Sequence, residues 1–151
     1  MELKLIPLVG INTLKFGCSP TEVIQYFGKP EEIEELRDEL LNDDAIVYHY
    51  WEMGLSVFFS VREQESFSSV EIDNKGAILF DKKIFELNEK EAIDLFKQNG
   101  FKFSESEKHE WGEKRLSFDD ANVDLYFANN KLVSINYGIM PDNNSFYYFP
   151  N

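Results

Sequence analysis

The chain has 151 residues, of which 43% are hydrophobic, and it carries a formal net charge of -13. A chain of this length buries roughly two-thirds of its unfolded surface and can fold alone. Phosphate backbones attract clustered Lys and Arg, so the charge argues against direct nucleic-acid binding and favours a basic protein partner. The apolar runs are far shorter than the roughly 20 residues of a membrane span, and we expect no membrane partner.

The N-terminus and the cysteine usage favour a cytoplasmic location. The first ten residues, MELKLIPLVG, lack both the apolar core length and the cleavage site of a signal peptide. Cys18 is the single cysteine, so an internal disulfide is excluded, as is common in a reducing compartment.

Residues 17–30, GCSPTEVIQYFGKP, predict a loop followed by a short capped helix. Ser19 has the side-chain oxygen of an N-cap, and Glu22 lies three residues later, where it completes a capping box. Pro20 suits the first helical position, and Gly28 followed by a Lys-Pro pair predicts an abrupt end. Three apolar stretches then alternate with a period of two and predict antiparallel strands: AIVYHYWE, LSVFFSV and SSVEID.

The same order of elements recurs in the second half. The stretch ELNEKEAIDLFKQNG contains Asn88 and Glu91 as a second predicted capping box, with Gly100 after the helix. The strands KRLSFDD, NVDLYFA and LVSINYG follow, and Asn129-Asn130 suits a two-residue hairpin turn with positive φ at both positions. We therefore predict an α+β fold with two tandem units, 12–74 and 80–138, in one domain spanning 1–151. Each unit is a helix plus an antiparallel meander, and together they form one curved sheet with the helices on one face.

A strongly acidic segment separates the first helix from its strands. Residues 31–44 contain eight acidic residues and one arginine. The simplest interpretation is a solvated helix or loop, and the functional alternative is a surface that steers a basic partner.

A helix closed by Gly-x-Pro before a hairpin resembles the SmpA/OmlA unit of small outer-membrane lipoproteins, and two such units in tandem resemble the β-lactamase inhibitor protein fold. The resemblance implies a curved, non-catalytic sheet that grips another protein. Those proteins are exported, whereas this chain shows neither an export signal nor a lipidated cysteine near its start, so their specific partners are not transferred. Small acidic proteins without a signal are also similar to the immunity proteins that neutralise bacterial toxins inside the cell.

The residue types of common active sites are present without their usual spacing. His49 and His109 do not lie in the H-x-x-x-H or H-E-x-x-H pattern of a zinc site, and the common nucleotide and hydrolase motifs do not occur. Cys18 could be a nucleophile beside a histidine, but its position before a helix favours a buried small hydrophobe.

A carboxylate cluster in FDDANVD is the remaining candidate for chemistry. Asp119 and Asp120 follow a predicted strand, where aspartates usually bond their own backbone, and Asp124 begins the next strand. A calcium loop needs a longer run of alternating oxygen donors. We therefore predict no enzyme activity, no metal and no cofactor.

Strand alternation sorts the side chains into two faces. The predicted apolar face, which should contact the helices, comprises Tyr48, Tyr50, Leu55, Val57, Phe59, Val70, Ile72, Leu116, Phe118, Val123, Leu125, Phe127, Val133 and Ile135. The other face mixes aromatic, small polar and acidic residues, as protein interfaces do. Its predicted partner-binding residues are His49, Trp51, Phe58, Glu71, Trp111, Asp124, Tyr126 and Asn136, with Trp111 at the rim. Trp51, Phe58 and Tyr126 should cluster, unless the tail FYYFPN covers the face.

Three functions remain open at this stage. We expect first a cytoplasmic, inhibitor-like binding protein such as an immunity protein against a basic toxin domain. The alternatives are a small-molecule binding domain or enzyme using the sheet concavity, and a self-associating structural protein that forms a homodimer.

Overall fold

The computed structural model describes residues 1–37, 44–141 and 147–150, and its fold is of the α+β class. The elements before the first gap are β1 (Lys4–Ile6), β2 (Gly10–Ile11), β3 (Leu14–Lys15), α1 (Pro20–Phe27) and β4 (Glu32–Leu36). The following elements are β5 (Ala45–Tyr50), β6 (Leu55–Ser60), β7 (Ser66–Ile72), β8 (Ile78–Leu79), β9 (Lys82–Lys83) and α2 (Glu89–Gln98). The last four strands are β10 (Glu105–Lys108), β11 (Glu113–Phe118), β12 (Val123–Ala128) and β13 (Lys131–Gly138), and two 3-10 turns lie at Val61–Glu63 and Ile84–Glu86. Within these ranges, neither α-helix has the length and hydropathy to cross a membrane.

The described strands form two sheets. The main sheet has eight strands in the order β10-β11-β12-β13-β7-β6-β5-β4, and each neighbouring pair is antiparallel. The small sheet has the order β3-β2-β1-β8-β9, and its β1 and β8 are parallel. The sequence patterns predict the meanders but miss this small sheet, because strands of two or three residues are too short to show a period.

Both predicted capping boxes are confirmed. The side chains of Ser19 and Asn88 accept hydrogen bonds from the backbone N–H groups of Glu22 and Glu91 at 3.2 and 2.9 Å. The two glutamates accept in return from the N-cap N–H groups at 3.3 and 3.0 Å. Each box pairs donors that a helix terminus otherwise leaves without partners.

The predicted hairpin turn is also confirmed. Asn129 and Asn130 have φ angles of 52° and 61°, which are left-handed values that asparagine tolerates better than most residues. The turn joins β12 to β13 and sets the register of that pair.

Both helices pack on the same face of the main sheet. Phe27 of α1 lies 5.6 Å from Tyr50 of β5, and Phe96 of α2 stacks on Phe118 of β11 at 3.9 Å, both measured between ring centroids. A row of paired apolar residues crosses six strands beneath them: Tyr50, Leu55, Ile72, Ile135, Leu125 and Leu116. All six side chains are buried, so this face holds the hydrophobic core.

Two β-bulges keep the core residues on the helix side. Between β12 and β13, the register shifts after Tyr126, so that Phe127 pairs with Leu132. The prediction that Val133 faces the helices is therefore wrong, since Leu132 is the buried residue and Val133 is the extra residue of the bulge.

A matching bulge occurs in the first half. The register of β6 and β7 shifts after Phe58, which pairs with Ser69, whereas Phe59 pairs with the buried Phe67. Alternation alone cannot predict either bulge, because one inserted residue leaves no local sequence signal.

The acidic segment differs in part from its simplest interpretation. Residues 32–36 form the edge strand β4, with every residue exposed, rather than a helix or loop. Ile33, for example, is 58% exposed. The prediction for residues 38–43 lies outside the described residues.

Truncation of Phe96 tests the assignment of the core. Phe96 is fully buried between Phe80 and Phe118, so Phe96→Ala should lower the free energy of unfolding by about 3–5 kcal/mol through the cavity that it leaves. Chemical denaturation measures this loss. Phe103→Ala is the matched control, because Phe103 is 39% exposed and should cost clearly less. Equal losses would contradict the assignment of α2 to the core.

Candidate functional site

Eight polar side chains form one row across the main sheet on the face opposite the helices. We call this face the outer face and these residues the polar row. Their Cα positions pair from strand to strand in the order Glu32, His49, Ser56, Glu71, Asn136, Asp124, Ser117 and Glu105. On the six strands that both rows cross, the polar row lies one residue from the buried apolar row, so the pleat directs the two sets to opposite faces.

His49 is held from both ring nitrogens. Its Nδ1 lies 2.7 Å from the Ser56 hydroxyl and its Nε2 lies 2.9 Å from a Glu34 carboxylate oxygen. A carboxylate can only accept, so a neutral imidazole donates from Nε2 to Glu34 and accepts from Ser56 at Nδ1. The Trp51 ring stacks on the imidazole with centroids 4.1 Å apart and planes at 9°. These contacts fix the ring in a single orientation.

The chain Glu34–His49–Ser56 has the order of acid, base and nucleophile in a serine hydrolase. Hydrolysis also requires N–H donors that are free to bind an oxyanion. Ser56 is the second residue of β6, whose backbone pairs with β5 and β7 on its two sides. His49 and Ser56 line a small cavity of about 150 Å³. The carboxylates of Glu71 and Asp73 also line this cavity and would repel an oxyanion. The geometry therefore favours a structural hydrogen-bond chain over acyl transfer.

The same corner offers donors for a divalent cation. Glu32, Glu34 and His49 each present one ligand atom, and these atoms lie within 4.8 Å of one another. Oxygen and imidazole donors suit several divalent metals. The hydrogen bond from His49 to Glu34 already pairs two of these three groups.

Glu71 lies at the centre of the polar row and is partly desolvated. Burial raises the pKa of its carboxyl above the ordinary value of 4.5, and the neighbouring Asp73 raises this pKa further. The charge of a protonated His49 acts in the opposite direction. The ionised form of Glu71 is therefore less stable in the folded protein than in the unfolded chain.

The other half of the row repeats the pattern of a hydroxyl beside a titratable group. The Ser117 hydroxyl donates to Asp124 at 2.7 Å. Arg115 lies two residues from Ser117 and donates from Nη2 to Glu105 at 3.1 Å and to Glu107 at 2.9 Å. This guanidinium is therefore directed to the β10 edge of the sheet.

Tyr126 lies on the outer face beside these charges. Burial raises the pKa of its phenol and the carboxylate of Asp124 raises it further, whereas the charge of Arg115 and a side-chain hydrogen bond with Asn136 lower it. The phenol therefore stays protonated at neutral pH and can donate a hydrogen bond.

A larger cavity opens on the outer face where the sheet meets the C-terminal residues. This sheet cavity has a volume of about 330 Å³, near the lower end of the 300–1,000 Å³ typical of ligand sites. Its polar lining includes Ser60, Asp124 and Asn136, and its aromatic lining includes Phe58 and Tyr147. Among the described residues, Ser60 Oγ and Asn136 Oδ1 are buried without a hydrogen-bond partner. Most buried polar atoms in folded proteins are paired, so these two atoms are exceptions.

The structure places the predicted partner-binding residues at different parts of the outer face. Trp51 and Trp111 are 57% and 69% exposed, and Trp111 stacks on His109 as Trp51 does on His49. Both tryptophans lie in turns, Trp51 after β5 and Trp111 after β10.

The predicted aromatic cluster is not seen. Trp51, Phe58 and Tyr126 belong to three separate segments, and within the described ranges no ring contact joins them. Phe58 and Tyr126 also lie on opposite sides of the polar row along the strands. The predicted tail contact is partly present, since Tyr147 lines the sheet cavity while Phe149 packs beside Gly17.

Sequence reasoning missed several residues of this surface. Glu32 and Glu34 were assigned only to an acidic segment, and their contact with His49 depends on β4 pairing with β5. Ser60 was not among the predicted residues, and Tyr147 was predicted only as part of the tail that could cover this face. The period-two spacing of Ser56, Phe58 and Ser60 along β6 was the available signal for Ser60.

Cys18 has the properties of a structural thiol. Burial raises its pKa to about 11, and the charge of Glu22 contributes to this rise. The thiolate, which is the nucleophilic form, is therefore scarce at neutral pH.

Comparisons with known proteins give no relative for this chain. No protein family matches the sequence, and neither the curated proteins nor the solved structures contain a significant match. The function must therefore be inferred from the site itself.

Replacement of Glu71 tests whether its ionised carboxylate destabilises the folded protein. Since the folded-state pKa of Glu71 is raised, the protonated form favours folding, and stability falls as pH rises through this pKa. Glu71→Gln should therefore raise the melting temperature at pH 7, and the gain should shrink as the pH is lowered toward 5. Thermal denaturation between pH 5 and pH 8 measures this difference. Glu35→Gln, on the exposed strand β4, is the control and should show no such pH-dependent gain.

A lower melting temperature of Glu71→Gln at pH 7 would mean that the neighbours of Glu71 stabilise its carboxylate. This result would contradict the raised pKa of Glu71.

Proposed function

We propose that this chain is a cytoplasmic, inhibitor-like binding protein, an immunity protein that neutralises a basic bacterial toxin domain. The observation that carries the proposal is the polar row. Eight strands present one uninterrupted line of polar side chains away from the helices, and the exposed Trp51 stacks on His49 of this line. A face with this composition, partly desolvated and rich in aromatic and acidic groups, is typical of protein interfaces.

Charge supports a basic partner. The polar row contains the carboxylates of Glu32, Glu71, Asp124 and Glu105, and the chain as a whole carries a net charge of -13. Arg115 is the cation on this part of the sheet, and glutamates of β10 hold it. Complementary charge accelerates the encounter of two proteins and selects against acidic partners.

We also propose that the fold consists of two tandem units that form one curved sheet, as in the β-lactamase inhibitor protein fold. The order of the main sheet supports this, because the two meanders meet at β7 and β13 and reach opposite edges at β4 and β10. The two capping boxes and the two β-bulges occupy corresponding places in the two halves. Such a sheet offers a broad surface for a globular partner.

A growth assay tests the proposed function. The toxin domain is taken from the gene next to the one that encodes this chain, and it is expressed in bacteria with and without this protein. Rescue of growth and a purified one-to-one complex would support the proposal. A gene neighbourhood of metabolic enzymes, or a toxic neighbour that this chain does not inhibit, would overturn it.

The salt dependence of binding tests the role of charge. Raising the salt from about 50 mM to about 500 mM should slow association with the toxin domain about tenfold or more and change dissociation much less. Stopped-flow fluorescence gives both rate constants. Replacing Glu32, Glu34 and Glu35 with Gln should reduce the salt dependence, because β4 lies at the exposed edge. Salt-insensitive association would remove the steering role of this segment.

Truncation of Trp51 and Tyr126 tests the contribution of the outer face. Each single Ala variant should weaken toxin binding by about 2 kcal/mol or more if these aromatic residues are hot spots. Calorimetric titration measures the affinity, and thermal denaturation should show little change for the exposed Trp51. Ile24→Ala is the control, because Ile24 is exposed on α1 and the helices cover the opposite face. Unchanged affinity in both aromatic variants would contradict the assignment of this face.

A further inference from the structure

Two glutamates and one histidine bring their ligand atoms together at the corner formed by β4 and β5. His49 Nε2 lies 2.9 Å from Glu34 Oε1 and 4.0 Å from Glu32 Oε2, and the ligand atoms of the three residues lie within 4.8 Å of one another. Ligand atoms at the roughly 2.0–2.2 Å typical of zinc lie about 3.3 Å apart in a tetrahedral site. The two separations from His49 lie on either side of this value, so small movements of the glutamates would place all three atoms around one ion.

Strand pairing explains why these glutamates reach the same point. Glu32 pairs with His49 in the register of β4 and β5, and Glu34 lies two residues further along β4, so alternation directs all three side chains to the outer face. The side chains of Glu32 and Glu34 are 58% and 48% exposed. They can therefore rotate toward an ion without disturbing the core, and their exposed side leaves room for water ligands.

The environment of His49 is an independent indication of a ligand. Its side chain is only 10% exposed, its Nδ1 lies 2.7 Å from the Ser56 hydroxyl, and the Trp51 ring stacks on it. Metal-binding histidines almost always use the second ring nitrogen in such a hydrogen bond, which fixes the tautomer and the orientation of the ring. The other nitrogen, Nε2, is thereby directed toward the two carboxylates before any ion binds.

The chain supplies no cation that balances the charge of these glutamates. Among the described residues, no lysine or arginine forms an ion pair with Glu32 or Glu34, and His49 is the one basic side chain in contact with them. The hydrogen bond from His49 satisfies one oxygen of Glu34, whereas Glu32 at 4.0 Å is beyond hydrogen-bond distance. A divalent cation at Nε2 would interact favourably with both carboxylates.

The corresponding corner of the second half lacks this set of ligands. His109 also stacks on a tryptophan, Trp111, with ring centroids 4.3 Å apart, but its Nδ1 approaches a single carboxylate oxygen, that of Glu107, at 3.6 Å. No other group of three such ligand atoms occurs within the described ranges. The His109 corner is therefore an internal control for the His49 corner.

The types of ligand atom determine which ions fit. Calcium and magnesium prefer sites made of oxygen atoms, whereas an imidazole combined with carboxylates suits zinc and cobalt. The sequence-based prediction of no metal depended on the spacing of the two histidines. This set instead uses one histidine and two glutamates of the neighbouring strand, and strand pairing alone brings them together.

We propose that Glu32, Glu34 and His49 bind a divalent transition-metal ion, with zinc as the expected ion, through Glu32 Oε2, Glu34 Oε1 and His49 Nε2. The ion takes the place of the proton on Nε2, and the imidazole stays neutral by carrying a proton on Nδ1, from which it donates a hydrogen bond to the Ser56 hydroxyl. Water completes the coordination. The bound ion links the edge strand β4 to β5, and the inference does not depend on the proposed function.

Tryptophan fluorescence tests the site in the 151-residue chain, purified without an affinity tag. Trp111→Phe leaves Trp51 as the single tryptophan, and paramagnetic cobalt should quench its emission in a saturable manner, because an ion at Nε2 lies close to the stacked ring. Excess zinc should restore the emission, because zinc binds such ligands more tightly than cobalt does. In Trp51→Phe, which reports on the His109 corner, quenching should need clearly more cobalt.

Three further variants, made in the Trp111→Phe protein, locate the ion. Ser56→Ala removes the partner of Nδ1 and should weaken cobalt binding about tenfold or more, and Glu32→Gln, which removes a ligand, should cost at least as much. Glu35→Gln is the matched control, because it removes the same charge from β4 but lies one residue from Glu34 and thus on the opposite face. Circular dichroism checks folding. Glu32→Gln decides the question if Ser56→Ala does not fold, because Glu32 is exposed.

Any one of four results would overturn the inference. These are the absence of saturable quenching at Trp51, equal quenching of Trp51 and Trp111, equal losses in Glu32→Gln and Glu35→Gln, and restoration of the emission by calcium as readily as by zinc. The last result would indicate a general attraction of cations to an acidic surface. The growth assay with the toxin domain judges the proposed function separately, so either proposal can fail alone.

Discussion

The register of the main sheet is the constraint on which the rest of the structure depends. Strand pairing from β10 to β4 places an apolar row under the helices and a polar row one residue away on the opposite face. Because side chains alternate along a strand, a slip of one residue would bury the polar row and expose the core. Four buried residues on the helix side maintain the register through both bulges: Phe59, Phe67, Phe127 and Leu132. The packing that stabilises the fold therefore also positions the outer face.

The same register leaves two polar groups of the outer face in surroundings that are unfavourable for them. Glu71 lies on a partly desolvated surface beside Asp73, and Asn136 Oδ1 is buried without a hydrogen-bond partner among the described residues. Both features reduce stability, and a partner with positive charge and hydrogen-bond donors would relieve both. Functional surfaces often carry such a cost, which the well-packed helix side can support.

Much of the fold could be predicted from local sequence signals. The N-caps Ser19 and Asn88, the turn at Asn129-Asn130 and the alternating strands each depend on residues close in sequence, and the structure contains all of them. The bulges, the small sheet and strand β4 depend on tertiary pairing. Glutamates have a low preference for strands, so the sequence of residues 32–36 did not reveal that pairing with β5 would make them a strand.

The candidate site was less predictable than the fold for the same reason. Alternation correctly placed Glu71, Asp124 and Asn136 on one face, because it needs only the strand pattern. It could not reveal that Tyr147 would close a cavity beside them, or that Phe58 and Tyr126 would lie apart. Such facts depend on distances between segments that are far apart in the chain.

The composition of the outermost strands affects how the protein behaves at high concentration. Open sheets present unpaired backbone groups at both edges, and these groups can template the addition of another molecule. Here one edge carries three glutamates in β4 and the other carries two in β10. Edge-to-edge growth would bring these like charges together at each new junction, so the outermost described strands disfavour the addition of a further strand.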